Sequence, residues 1–306
     1  MLPAVQALFT LVRELASGTS VTQVAASKWL VQRHGLAPLA ARAGATQFRD
    51  DLARSALAWT RIVAMVEPLV AGLVAAGARV AAIKGLAYAK SIYAHADERP
   101  MSDVDLLVPR EHHARAQREL ERMGFSRVPG ALLHHATAWE RAGMVVDLHI
   151  SIMPAGRSRI DLDAVWSRAQ PGWPAGADQL EAVDALVFHL AHLARNRLRI
   201  PLIHVVDAAR LLEHAPTALA LERAHAWGVG HAAELALRFC ISLLHGDASY
   251  PAGWLGPSRE ELAVFAETPW MKKLAFDVAT AGSPRQLGAR VLGYAASLIA
   301  RRSTGA

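Results

Sequence analysis

The segment Ser102-Asp-Val-Asp-Leu-Leu-Val108 gives the first firm structural reading. Side chains alternate across extended backbone, so Val104, Leu106 and Val108 make an unbroken apolar face, while Asp103, Asp105 and Leu107 point the other way. Each strand residue advances roughly 3.3 Å, which sets the two carboxylates about 7 Å apart along one strand. Aspartate is disfavoured in strands, and neighbouring anions repel unless a cation lies between them. A divalent metal on oxygen ligands resolves that conflict. The tripeptide alone discriminates poorly, because Asp161 and Asp163 repeat it. That second copy follows Arg157 and Arg159, precedes Ala164-Val-Trp166, and reads as a solvated turn opening a helix. The first copy differs in heading an apolar strand.

A third carboxylate stands in Met144-Val-Val-Asp-Leu-His-Ile150, where Val146, Leu148 and Ile150 share one face and Asp147 and His149 the other. Short connections favour placing this strand beside the first. Three acids on adjacent strands can hold two divalent ions, an arrangement suited to in-line displacement at phosphorus. The lesser alternative for Asp147 is an edge-strand acid facing water.

Working outward, breakers divide the 306 residues into three blocks. Residues 1–48 read as an N-terminal helical segment. Residues 49–153 hold a long helix from about Asp50 to Ala76, which Pro68 should kink or split and Gly77 should cap. Within the same block come a strand Arg79–Ile83, the strand ending at Val108, a helix Glu111–Met123, and strands Leu132–Trp139 and Met144–Ile150 joined through Arg141-Ala-Gly143. Residues 154–306 return to helices. The expected class is α+β, a small mixed sheet between N- and C-terminal helical segments.

Ile83-Lys-Gly85, Arg99-Pro-Met-Ser-Asp-Val-Asp-Leu-Leu-Val108, Met123-Gly-Phe125 and Val146-Asp-Leu-His149, followed by Phe188-His-Leu-Ala-His192 and Leu202–Leu212 with Asp207, resemble the bacterial nucleotidyltransferase family of uncharacterised members. That family belongs to the DNA polymerase β-like nucleotidyltransferase superfamily. The resemblance implies that core fold and transfer of a nucleoside monophosphate from an NTP to an acceptor hydroxyl, releasing pyrophosphate, with two Mg²⁺ ions. It implies that Asp103 and Asp105 are the metal-binding pair. Asp147 is then the third acid, completing the catalytic metal site and activating the hydroxyl. Gly85 matches the glycine of the superfamily's Gly-Ser element beside the phosphates; Leu86 stands where serine is usual, removing one phosphate-contacting hydroxyl. Lys84 offers compensating charge there, or else a salt bridge; Ser102 and His149 are neighbours of the site.

His189, His192, Asn196 and Arg199 fall at i, i+3, i+7 and i+10, a polar stripe that either borders the cleft or hydrogen-bonds between helices. His134-His135 should face opposite ways in a strand. No P-loop, Gly-x-Gly-x-x-Gly, Gly-x-Ser-x-Gly or His-Glu-x-x-His motif occurs, which argues against those chemistries. One cysteine, Cys240, lies in an apolar helix and reads as core; so little cysteine suits a reducing, cytoplasmic protein. The nearest apolar run, Leu69–Ile83, is interrupted by Arg79, so no integral membrane association is expected. A net charge of +6 invites an RNA partner, yet only five of the 33 basic residues are lysines and the arginines are scattered. A small molecule or a protein is the favoured acceptor. The tail Gln286–Arg302 reads as a basic amphipathic helix packed on the helical region. A regulatory nucleotide-binding module of the same fold, weak or inactive in catalysis, is the alternative.

Overall fold

A computed structural model describes residues 3–129, 135–153, 158–246, 270–281, 283, 284, 286 and 288. In chain order the elements are α1 (Pro3–Ala16), α2 (Lys28–Arg33), α3 (Ala37–Arg42), α4 (Arg49–Ala75), β1 (Ala81–Ala82), α5 (Lys84–Ser91) and β2 (Asp103–Leu107). Next come α6 (His113–Arg122), β3 (Ser126–Arg127), β4 (Ala136–Arg141), β5 (Met144–His149), α7 (Leu162–Arg168), β6 (Gln170–Pro171) and β7 (Asp178–Gln179). Helices α8 (Ala182–Arg195), α9 (Ile203–His214), α10 (Thr217–Ala226), α11 (Gly230–His245) and α12 (Trp270–Ala279) complete the described chain. The class is α+β, as expected.

The sheet runs β3-β4-β5-β2-β1-β7-β6. It is mixed: β2 lies parallel to β5 and β1 parallel to β7, while β1–β2, β3–β4, β4–β5 and β6–β7 are antiparallel. Val104, Leu106, Val146 and Leu148 are fully or almost fully buried on one face, in one core with Val66, Leu69 and Leu73 of α4 and Leu120 of α6. The β4–β5 hairpin turns through Ala142 and Gly143, both at positive φ (51° and 78°), the two-residue geometry that matches strand twist. Strands β6 and β7 carry no apolar alternation, contain Pro171, and are two residues each, so pattern alone gave no sign of them.

Some boundaries differ from the sequence expectation. Pro68 neither splits nor ends α4: one helix runs through it. Its ring lies on the exposed side, and Ile62, Val66, Leu69, Val70 and Leu73 anchor both flanks in the core, so one missing N–H is tolerated. Gly77, at φ 80°, closes α4 with Ala78 N–H donating to the Leu73 carbonyl, as a C-terminal glycine should. The strand expected at Arg79–Ile83 shrinks to β1, and Arg110–His112 forms a 3₁₀ turn before α6. Leu132, Leu133 and His134 lie outside the described residues. Asp161 caps α7 through Ala164 N–H, the helix-start role expected of the second Asp-x-Asp. Cys240 is buried, and burial pushes its thiol up to about 12, in keeping with a core residue. Of the C-terminal tail, Gln286 is described; its amide donates to the Gly228 carbonyl.

One helix, Thr46–Ala75 with its leading turn, contains an 18-residue window of mean hydropathy 1.6 and is long and apolar enough by composition to cross a membrane. Arg61 and Glu67 interrupt its apolar run, so it contains no unbroken apolar stretch of that length. Ile62, Val66, Leu69, Val70 and Leu73 form the buried 28% of that window.

Candidate active site

Parallel pairing of β2 and β5 sets Asp103 opposite Val145, Asp105 opposite Asp147 and Leu107 opposite His149. Paired residues project to the same side, so Asp103, Asp105, Asp147 and His149 share the face opposite the buried valines and leucines. Ligand atoms of Asp105, Asp147 and His149 all lie within 4.8 Å of one another. Asp103 sits one step outward, at the more exposed end of β2, where the exposed Ser102 hydroxyl donates to it at 3.3 Å.

Asp105 is buried, and its Oδ1 receives two donors: Lys84 Nζ at 2.5 Å and His149 Nε2 at 2.8 Å. Burial alone would raise its carboxyl, but the His149 hydrogen bond and the Lys84 charge outweigh it and hold the group at about 2. Asp147, half-buried, moves the other way: burial first, then the negative charge of Asp105 and Asp103, raise it above the ordinary carboxylate value. Two neighbouring acids driven apart in this way are suited to different roles. His149 is buried, its Nδ1 has no partner among the described residues, and its ring lies 5.2 Å from that of His135 at a tilt of 56°. The carboxylate oxygens of Asp105 and Asp147, within 4.8 Å of each other and of His149, fit a hard divalent cation, which would offset their like charge.

Lys84 starts α5 at φ 52°, a left-handed conformation uncommon for a residue with a Cβ. Of the two readings of Lys84, charge for a phosphate or a salt bridge, the structure contains the salt bridge. Gly85 is buried against Arg99: a Cβ there would stand 3.2 Å from Arg99 Nη1 and 3.6 Å from Met101 Cβ. The glycine therefore admits the close approach of Arg99. Leu86, where serine is usual, is buried in the core.

The polar stripe on α8 is shorter than the spacing suggested. The helix ends at Arg195, and Arg197 and Leu198 take positive φ, so Arg199 lies off the helix. His189 donates through Nε2 to the His204 carbonyl, a bond between helices. Burial pushes His189 down to about 4. His192 is hydrogen-bonded to Asn196, and burial followed by the nearby Lys84 charge depresses it. Lys84, His189, His192 and His204 thus line one narrow space with Tyr88 and Arg99.

Sequence reading gave no role to the network behind this space. Asp207 on α9 is fully buried and takes Arg99 Nη2 at 2.7 Å, Arg99 Nε at 3.2 Å and the Tyr93 hydroxyl at 2.7 Å. Burial opposes its charge, but Arg99 and His204 hold the carboxyl far below the carboxylate range. His189, His204 and Asp207 also cluster closely enough for a metal, yet both Asp207 oxygens already face the Arg99 guanidinium. The sequence signal for the pair is a lone Arg and a lone Asp more than a hundred residues apart, which no local pattern connects.

No curated protein matches the sequence significantly. Among solved structures, the crystal structure of ANT(2")-Ia in complex with adenylyl-2"-tobramycin is similar at a TM-score of 0.40 and 14% identity, over 61% of this chain and 98% of that chain. The solution structure of the antibiotic-resistance factor ANT(2")-Ia gives 0.37 and 15%, over 60% and 96%. The stronger finding is a match to the family described as uncharacterised nucleotidyltransferase over residues 16–245. That span runs from the end of α1 to the end of α11 and contains β2, β5 and every acid discussed above. By sequence over most of its length, the chain belongs to this uncharacterised nucleotidyltransferase family.

Proposed function

We propose that the chain transfers a nucleoside monophosphate from an NTP to an acceptor hydroxyl, with Asp103, Asp105 and Asp147 holding two Mg²⁺ ions and pyrophosphate leaving. The observation that supports this reading is that three carboxylates and His149 share one face of the β2–β5 pair, with Asp105, Asp147 and His149 close enough to hold one ion. Bound Mg²⁺ supplies neutralising charge for the α-phosphate and the leaving group. The chain's own contribution is positioning. His149 fixes the Asp105 carboxylate, which stays ionised at any physiological pH. Asp147, raised above its neighbour, is the stronger base and takes the acceptor proton. In this reading Lys84, Gly85 and Ser102 receive phosphate oxygens, and His192 lines the same space as Lys84. The acceptor is a small molecule or a protein side chain in preference to RNA.

The test is thermal stability with each of ATP, GTP, CTP and UTP, in Mg²⁺ and in EDTA. A ligand that binds the folded state alone raises its stability by mass action. The expected outcome is a Mg²⁺-dependent rise with at least one NTP that disappears in Asp105→Asn. Undiminished turnover in Asp103→Asn would reject the metal role. A second reading, a nucleotide-binding module without turnover, has two observations on its side: Lys84 is paired with Asp105, and Leu86 stands where serine is usual. Equal nucleotide affinity with and without Mg²⁺ would select that module.

A further inference from the structure

A cavity of about 250 Å³ shares Lys84 and Tyr88 with the histidine-lined space. Its wall is a single stripe of α5, Lys84, Ala87, Tyr88 and Ser91, at i, i+3, i+4 and i+7. The ends of β1 and β7, the start of α8 and the end of α9 close it. Ala82, Ala182 and Ala185 keep it open: small side chains occupy positions where larger ones would fill the space. Two side-chain amides, Gln170 and Gln179, stand at its edge, and neither has a hydrogen-bond partner among the described residues. The lining contains no carboxylate; Lys84 and His214 are its ionisable groups apart from Tyr88.

We infer that this cavity receives the nucleobase of the donor nucleotide, an inference that rests on the transferase reading above. An apolar slot with amides at its edge suits a flat, uncharged ring whose rim alternates donors and acceptors, and an amide presents one of each. The absence of carboxylates among the lining residues disfavours a cationic occupant. Position supplies the link to the chemistry. Lys84 forms one end of the stripe and its Nζ rests on Asp105, where the phosphates would gather. Ser91 lies about 10 Å further along the helix at 1.5 Å per residue, the reach of a ribose and base laid beside α5. Phosphates at the start of α5 and a base beside its length thus use one element to hold both ends of the donor.

The experiment uses adenosine, guanosine, cytidine and uridine, which carry the base and no phosphate, titrated into the full chain in EDTA and followed by calorimetry. At least one nucleoside should bind saturably at millimolar concentration. Gln179→Leu, at the half-buried edge, and Ala185→Phe, which fills the slot, should each weaken it on the order of tenfold, the scale of one lost hydrogen bond or a blocked contact. Circular dichroism checks that both variants fold, and Gln179→Leu keeps the test open if Ala185→Phe does not. No binding by any of the four nucleosides, or binding unchanged in both folded variants, overturns the inference. Mg²⁺-dependent NTP binding without nucleoside binding would reject the cavity and leave the transferase reading standing. Nucleoside binding with Mg²⁺-independent NTP affinity would do the reverse.

Discussion

Exchanging Asp207 for asparagine keeps the side-chain shape and removes the charge that faces Arg99. Arg99 is 6% exposed and Asp207 is 0% exposed, so the guanidinium would be left in the interior without its counter-ion. The new amide N–H groups would also meet the Arg99 N–H groups, donor against donor, while one oxygen could still serve the Tyr93 hydroxyl. Breaking a buried pair from one side costs about 3–5 kcal/mol, because the remaining charge is uncompensated. Unfolding entropy near 2.1 cal/mol/K per residue gives a 306-residue chain about 0.6 kcal/mol per degree, so the melting temperature should drop by about 5–8 °C. Circular dichroism melts at neutral pH read this directly. The acid limb supplies a second reading. A carboxyl held below its unfolded value of 3.8 contributes stability that is present above that value and lost as pH falls through it. Wild type should therefore lose stability more steeply below pH 3.8 than Asp207→Asn does. A melting shift under about 1 °C, on the same per-residue scale, would refute the claim that this pair is buried and intact.

Other expectations are briefer. Lys84→Met removes the cation resting on Asp105, so Mn²⁺ affinity measured by calorimetry should rise by about tenfold or more, near 1.4 kcal/mol; unchanged affinity would show that Lys84 does not compete for that carboxylate. His189, held at about 4 by burial, stays neutral in the folded chain while the unfolded chain takes up a proton near 6.5, so thermal stability should decline as pH falls from 6.5 towards 4. A His189→Gln protein should lose less over that interval, and an identical slope would remove His189 from the account. Trp139 is 1% exposed and among the largest core side chains. Trp139→Ala should cost about 3–5 kcal/mol in urea unfolding, and a loss below 1 kcal/mol would contradict its burial.

What could be read from the sequence follows a physical division. Asp103, Asp105, Asp147 and His149 were legible as a shared face because strand alternation is strict and the opposite faces are purely apolar. The pairing of Lys84 with Asp105 was open, since a lysine beside a glycine has several uses and its backbone conformation leaves no trace in composition. Arg99 with Asp207 was illegible as a contact: each lies in a segment that carries the family resemblance, but only tertiary packing brings the two together and no local pattern links them. Strands β6 and β7 escaped for the opposite reason, being too short for any period to show. Of the two outcomes expected at Pro68, the split does not occur, because packing on both flanks holds one continuous helix.

The order of the sheet has an implication for dissecting the molecule. Strand β1 lies between β2 and β7, so a segment from residues 178–179 completes the hydrogen bonding of a strand nearly a hundred residues earlier. A fragment ending at 153 would keep the acidic face and yet bare the backbone of β1 along its whole outer side. Such an edge recruits whatever extended peptide is nearest, including the same edge of another fragment. Soluble excision of the half that carries the acidic face thus calls for a cut after Gln179, and a shorter piece should be isolated as aggregates or as exchanged dimers.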